Sequence, residues 1–253
     1  MKIESLLVDL DGTLLGNNGW ILSVDFVARA VAGLRPRLGL RNSLRALIDI
    51  KKAFDRPDRE FTNDMRVVTL MADKLDVTME EARQILRAGV FQIFPALSRH
   101  FYPIQGAREF LEWARTRYPI VLATNPVWPE EIAHLRLQWA GIDAATFRSI
   151  THVRRMKACK PAPEYYTEVL EQEGFQAATT LLIGDDVRMD LPAARIGMPV
   201  FIVGKYRRVS PLKLEGMLAP AWRGSYAALR EILESGGSFP EHPLMPKLLT
   251  GPA

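Results

Sequence analysis

The chain has 253 residues, 48% hydrophobic and 25% charged, with a formal charge of +4, which fits a globular protein able to bury a sizeable core. Its single cysteine, Cys159, excludes an intrachain disulfide and a cysteine-rich zinc site, and no stretch approaches the ~18 apolar residues of a membrane span. The 33 Lys and Arg are interspersed with 29 Asp and Glu, and the densest basic patches, residues 154–157 and 205–208, are short with little aromatic interleaving, which argues against nucleic-acid binding.

In chain order, the run Leu6, Leu7, Val8 predicts a buried first strand that closes on Asp9, Leu10, Asp11, Gly12 and Thr13. The opening segment reads neither as a signal peptide nor as a membrane span. Turn formers gather at residues 16–19 and 102–106, marking the two crossings into an inserted unit. Between them, residues 24–34, 43–54, 63–75 and 79–94 carry helical spacing, and Thr78 with Glu81 forms a capping-box pattern. Met65, Met71 and Phe91 fall at core positions of this insert, Trp20 suits either packing or a contact at its hinge, and Arg35, Arg37, Arg41, Lys51 and Lys52 make solvated basic faces.

From residue 106 the texture alternates. Helices are expected over 106–116, 129–140, 163–173 and 191–196, and strands over 120–123, 147–152, 180–183 and 199–203. The fold class is therefore α/β, a Rossmann-like three-layer core with a parallel sheet plus an inserted all-helical domain. The expected division is a core of 1–15 and 106–235, a helical unit of 16–105 and a tail of 236–253.

Three polar clusters stand where apolar runs end: Asp9, Asp11 and Thr13; Thr124 and Asn125; and Asp185, Asp186 and Asp190. Lys160 is a fourth. Ligands of open parallel sheets bind outside the carboxyl ends of the strands, so these segments are expected to converge. Strand alternation would set Asp9 and Asp11 on one face and Leu10 on the other. Gathered carboxylates need a cation, and Mg²⁺ suits them, being satisfied by one or two carboxylates, waters and a substrate phosphate. The four histidines, His100, His134, His152 and His242, are too dispersed to offer a softer site. Asp9 or Asp11 then suits a nucleophile with its neighbour handling protons, while Lys160 and a threonine supply a fixed charge and a neutral donor. Each motif alone also has an ordinary explanation as a turn, a helix entry or a solvated loop, and Cys159 beside Lys160 reads as incidental.

DLDGTL at residues 9–14, VLATN at 121–125, Lys160 with PAPEYY, and GDDVRMDLPAARIGM at 184–198 resemble, in order, the four motifs of the haloacid dehalogenase-like hydrolase superfamily. The helical insertion after the first motif is similar to that family's type 1 cap, and residues 126–159 leave no room for a large second one. The resemblance implies that Asp9 is the nucleophile and a metal ligand, and that Asp11 is the general acid and base with its backbone carbonyl on the metal. It implies phosphoryl contacts from Thr124, Asn125 and Lys160, a third metal ligand in Asp185, and support of the metal's waters or of Lys160 by Asp186 and Asp190. It also favours phosphate esters, because the family's dehalogenases and phosphonatases lack an aspartate at the second position. The resulting expectation is a cytoplasmic, Mg²⁺-dependent phosphatase of a small phosphorylated metabolite, monomeric or homodimeric, working through an aspartyl-phosphate. A phosphomutase would use the same residues. Receiver-type phospho-acceptor modules also gather aspartates, a threonine and a lysine around Mg²⁺, but in another order and without the insert.

Overall fold

The computed structural model describes residues 2–204 and 216–236. The expected basic patch at 205–208 and almost all of the expected tail lie outside the described residues. Six strands, β1 (Ser5–Val8), β4 (Ile120–Leu122), β5 (Ser149–Ile150), β6 (Thr180–Gly184), β7 (Val200–Val203) and β8 (Ala221–Gly224), form one sheet. Their spatial order is β5-β4-β1-β6-β7-β8, with every pairing parallel. β1 lies centrally, with Leu7 opposite Val121 on one side and Leu182 on the other.

Because β1 is buried on both faces it shows no polar alternation, yet its side chains are still sorted with period two. Leu6, Val8, Ile120, Leu122, Leu181 and Ile183 face a layer built by α4 (Ala107–Ala114), α5 (Glu130–Trp139) and α7 (Tyr226–Glu234). Leu7, Val121 and Leu182 face α6 (Pro163–Glu173) and the segment Leu191–Ile196. These are the three layers expected. The segment Leu191–Ile196 is a 3₁₀ helix rather than an α-helix: Pro192 withholds an N–H in its first turn and Gly197, with φ of 84°, ends it after six residues. β8 and α7 extend the core past the last strand expected. Only Ala221 and Trp222 of β8 are buried, too brief a run to carry a period.

The insert consists of α1 (Gly19–Phe54), α2 (Asn63–Leu75) and α3 (Met79–Leu97). Where two helices were expected before residue 55, one long element bends at Gly39, whose φ of 71° and ψ of 168° suit only glycine, three residues beyond Pro36. The capping box of Thr78 and Glu81 is formed. Ala46, Val67, Val68, Met71, Ala72 and Ala82 make a separate small core. Met65, expected there, is instead exposed, and Trp20 is 80% exposed rather than packed. The crossings are also more ordered than turns, since β2 (Leu15–Asn17) and β3 (Phe101–Pro103) pair antiparallel into a stem. No helix among the described residues is long and apolar enough to cross a membrane.

The insert is tied to the core beside the strand ends. The first amides of a helix lack intrahelical partners, and in α2 they find them across the boundary: Asn63 N donates to Met156 O at 2.8 Å and Asp64 N to Val153 O at 2.9 Å. The buried Asn63 side chain donates to Pro126 O at 3.2 Å. Trp128 stands edge-on between Phe26 and Phe94 of the insert.

Candidate active site

β1 ends at Val8, one residue before the first aspartate, so strand alternation does not govern the pair that follows. The chain turns instead: Leu14 N and Leu15 N both donate to Leu10 O, and Gly12 N donates to Leu15 O. Asp9 and Asp11 therefore enter different surroundings rather than sharing one. Asp9 is buried, whereas the Asp11 side chain is 44% exposed and pairs with the Arg136 guanidinium.

Asp9 lies under the ends of β1, β4 and β6. Lys160 Nζ donates to Asp9 Oδ1 at 2.8 Å and to Asp190 Oδ1 at 2.7 Å, and the Thr13 hydroxyl donates to Asp9 Oδ2 at 3.2 Å. The other oxygen of Asp190 accepts the amides of Asp185 and Asp186 at 3.2 and 3.1 Å. Asp190 thus holds both the lysine and the loop that presents Asp185. Asp186 turns away, its carboxylate bonded to the Arg188 amide at 2.7 Å and to the guanidinium at 3.0 Å. Of the two aspartates expected to support the site, only Asp190 reaches Lys160. Its place depends on Gly184, since a Cβ there would stand 2.3 Å from Asp190 Cγ.

Lys160 is set by the turn into α6, whose first residues bury two tyrosines behind it. Tyr165 Oη donates to Thr124 O at 3.0 Å, and its ring lies 5.9 Å from the ammonium. The Asn125 side chain accepts from Lys160 N at 3.1 Å, joining the second and third polar segments, so its amide group is occupied in shaping the loop. The Thr124 hydroxyl is buried without a hydrogen-bond partner among the described residues. A buried polar atom left so is costly unless something else completes it.

The electrostatics point the same way. Burial is the main force lifting the Asp9 carboxyl to about 7, opposed by Lys160 and aided by Asp190 and Asp11. Burial, then the Asp190 and Asp186 charges, lifts Asp185 to about 7. Burial also works against the Lys160 ammonium, but Asp190 and Asp9 outweigh it and hold its pKa well above the ordinary value. Asp9, Asp185 and Asp190 each bring one oxygen within 4.8 Å of the others. Against these three carboxylates only Lys160 supplies a neighbouring buried cation among the described residues. A divalent, oxygen-seeking ion fits this donor set and its excess of negative charge.

Two contributors to the site are poorly marked in the sequence. Arg136 carries little signal in the sequence, because a charged residue in a helix reads as solvated. Its signal is its place one turn beyond Ile132 and Ala133, on the inward stripe of α5. Tyr226, whose hydroxyl donates to Thr13 O at 2.9 Å, lies on α7, beyond the last element that the sequence pattern predicts.

A parallel sheet that gathers a buried carboxylate cluster, a lysine and a threonine at its carboxyl edge defines an α/β enzyme with an acidic, cation-accepting centre. The chain belongs to the haloacid dehalogenase-like hydrolases, whose family model matches residues 3–196. It is similar in structure to a 2-haloacid dehalogenase from Pseudomonas syringae pv. Tomato DC3000, with a TM-score of 0.62 and 18% identity over 92% of this chain and 99% of that one. A HAD phosphatase from Thermococcus onnurineus aligns with a TM-score of 0.56 and 20% identity, covering 91% and 98% of the two chains. A HAD family hydrolase from Deinococcus radiodurans R1, solved with bound phosphate and sodium, gives 0.50 and 22%, covering 93% and 97%. No curated protein matches the chain.

The close fit of Gly12 against Asp185 yields a direct expectation. A Cβ at Gly12 would lie 2.2 Å from Asp185 Oδ2, and φ there is +83°. Gly12→Ala should displace Asp185 and strain the turn by about 1–3 kcal/mol. Thermal unfolding should show the loss of stability, and hydrolase activity should fall roughly 10²-fold through misplacement of the site.

Proposed function

We propose that this hydrolase is a Mg²⁺-dependent phosphatase of small phosphorylated metabolites. The observation that carries this reading is Asp11, a second carboxylate beside Asp9 whose side chain stays 44% exposed while Asp9 is buried. A halide departs without a proton. The alkoxide of a phosphate ester needs one, and a carboxyl group beside the nucleophile can provide it.

In the proposed sequence an Asp9 oxygen attacks phosphorus, the ester P–O bond breaks, and Asp11 gives its proton to the leaving oxygen. Asp11, now a carboxylate, then takes a proton from water as that water attacks phosphorus, and the bond to Asp9 breaks to release inorganic phosphate. Lys160 offsets charge on Asp9 and on the phosphoryl oxygens, and the free hydroxyl of Thr124 with the Asn125 backbone binds those oxygens. Asp9, Asp185 and the Asp11 carbonyl would hold Mg²⁺, which when bound neutralises the carboxylates and polarises the phosphoryl group. Asp190 keeps Lys160 and the Asp185 loop in place. The helical insert of residues 16–105 would restrict access and select the leaving group. We further place the protein in a reducing compartment such as the cytoplasm, as a monomer or homodimer.

The test is a panel of phosphorylated metabolites and 2-haloacids offered to protein stripped with EDTA and then reloaded. Phosphate release restored by Mg²⁺ is the expected result. Halide release in its place would assign a dehalogenase, and transfer to an acceptor without free phosphate would assign a mutase.

A further inference from the structure

Helix α5 turns Ile132, Ala133, Arg136 and Leu137 inward, the spacing of an apolar stripe, yet one of the four is a guanidinium. The Arg136 side chain is only 4% exposed, and its guanidinium forms an ion pair with Asp11 Oδ2. Its Nε is buried with no acceptor among the described residues, and no second carboxylate forms an ion pair with it there. A guanidinium does not give up its proton. A buried one therefore depends strongly on its carboxylate partner. Asp11 is the looser member of the pair: it is partly exposed, and among the described residues its Oδ1 has no partner. α5 also packs against β2 and β3, the stem through which the insert leaves the core.

We propose that Arg136 is a positioning residue for Asp11, gripping Oδ2 so that Oδ1 is the atom that meets the leaving-group oxygen and later the attacking water. This rests on the phosphatase reading above. It follows the general logic in which an acid–base group is oriented by a third, fixed partner. Arg136 does not touch the phosphoryl group. It acts on the bond from phosphorus to the leaving oxygen only by fixing the group that delivers the proton, and no proton or electron passes through it.

The experiment compares wild type, Arg136→Met, Arg136→Lys, Asp11→Ala and the Asp11→Ala/Arg136→Met double variant, each with Mg²⁺. The substrates are the best alkyl phosphate from the panel and 4-nitrophenyl phosphate, whose leaving group departs without a proton. The quantity read is kcat/KM, which reports steps through formation of the aspartyl-phosphate and not its hydrolysis. Arg136→Met should lower kcat/KM about 30-fold or more for the alkyl ester and no more than about threefold for the aryl ester. Arg136→Lys, which keeps a buried cation, should recover part of the alkyl rate and serves as the test variant if the methionine protein does not fold. In the Asp11→Ala background, adding Arg136→Met should change either rate by less than about twofold. Equal losses on both esters, or a further loss in the Asp11→Ala background, would overturn the proposal while leaving the phosphatase reading standing. Absence of phosphate release by the wild type from either ester would overturn the phosphatase reading, and this inference with it.

Discussion

Asp9→Asn is expected to abolish turnover, with phosphate release falling on the order of 10³-fold or more, because an amide is a poor nucleophile and the neighbouring carboxylates are engaged elsewhere, Asp185 as a proposed metal ligand. Asp11 is turned toward Arg136, and the oxygens of Asp190 are committed to Lys160 and to two backbone amides. The fold should survive, since asparagine nearly matches aspartate in shape and Lys160 keeps Asp190 as its partner. Stability should even improve in one pH window. The Asp9 carboxyl is lifted from 3.8 to about 7 in the metal-free fold, chiefly by burial, so its contribution to stability is complete below about pH 4 and is lost as pH rises through 7. Asn carries no such group. In EDTA, the stability of Asp9→Asn relative to wild type should therefore grow as pH is raised from 4 to 8, followed by urea unfolding. Retained turnover in this variant would remove Asp9 as the nucleophile. A stability difference that shrank across the same range would contradict the burial argument.

Lys160→Met should damage both activity and fold. The ammonium is buried between Asp9 and Asp190, at 2.8 and 2.7 Å, and methionine would leave the two carboxylates facing each other without their counter-charge. Removing one partner of a buried ion pair costs about 3–5 kcal/mol, and unfolding in urea should register a loss of that order in metal-free protein. Activity should fall about 10²–10³-fold through the missing stabilisation of phosphoryl charge. The double variant Lys160→Met/Asp190→Asn separates the two effects. It relieves the buried repulsion, and an asparagine oxygen can still accept the amides of Asp185 and Asp186, so stability should return in part while activity does not. A single variant as stable as wild type would mean that Asp9 and Asp190 do not depend on the lysine.

What was legible from residues alone was what local patterns carry. Buried strands announce themselves as short apolar runs, and the polar residues that end them mark the carboxyl edge of a parallel sheet. The positions of Asp9, Thr124 and Asp185 at the strand ends are therefore legible in the sequence itself. Helical spacing and the Thr78–Glu81 box likewise located α2 and α3, because both depend on neighbours three or four residues apart. Less visible was anything whose meaning came from a distant contact. The stem of β2 and β3 looked like two turn-rich crossings, since each strand is only three residues long and is stabilised by the other across the whole insert. Asn63 looked like an ordinary helix start, yet it binds carbonyls in the core.

The sequence by itself determined the class of fold, the order of its motifs and the chemical types gathered at the strand ends, because periodicity and strand termination are written within a few residues. Only the tertiary structure decided which surroundings each carboxylate enters. Asp186 and Asp190 are four residues apart with identical side chains, and what distinguishes them is that Asp190 is buried against Lys160 and two amides while Asp186 faces Arg188. Asp11 and Arg136 likewise form a pair only because α5 folds back beside the first turn. Burial, a property of the assembled chain, gives each of these charges its partner.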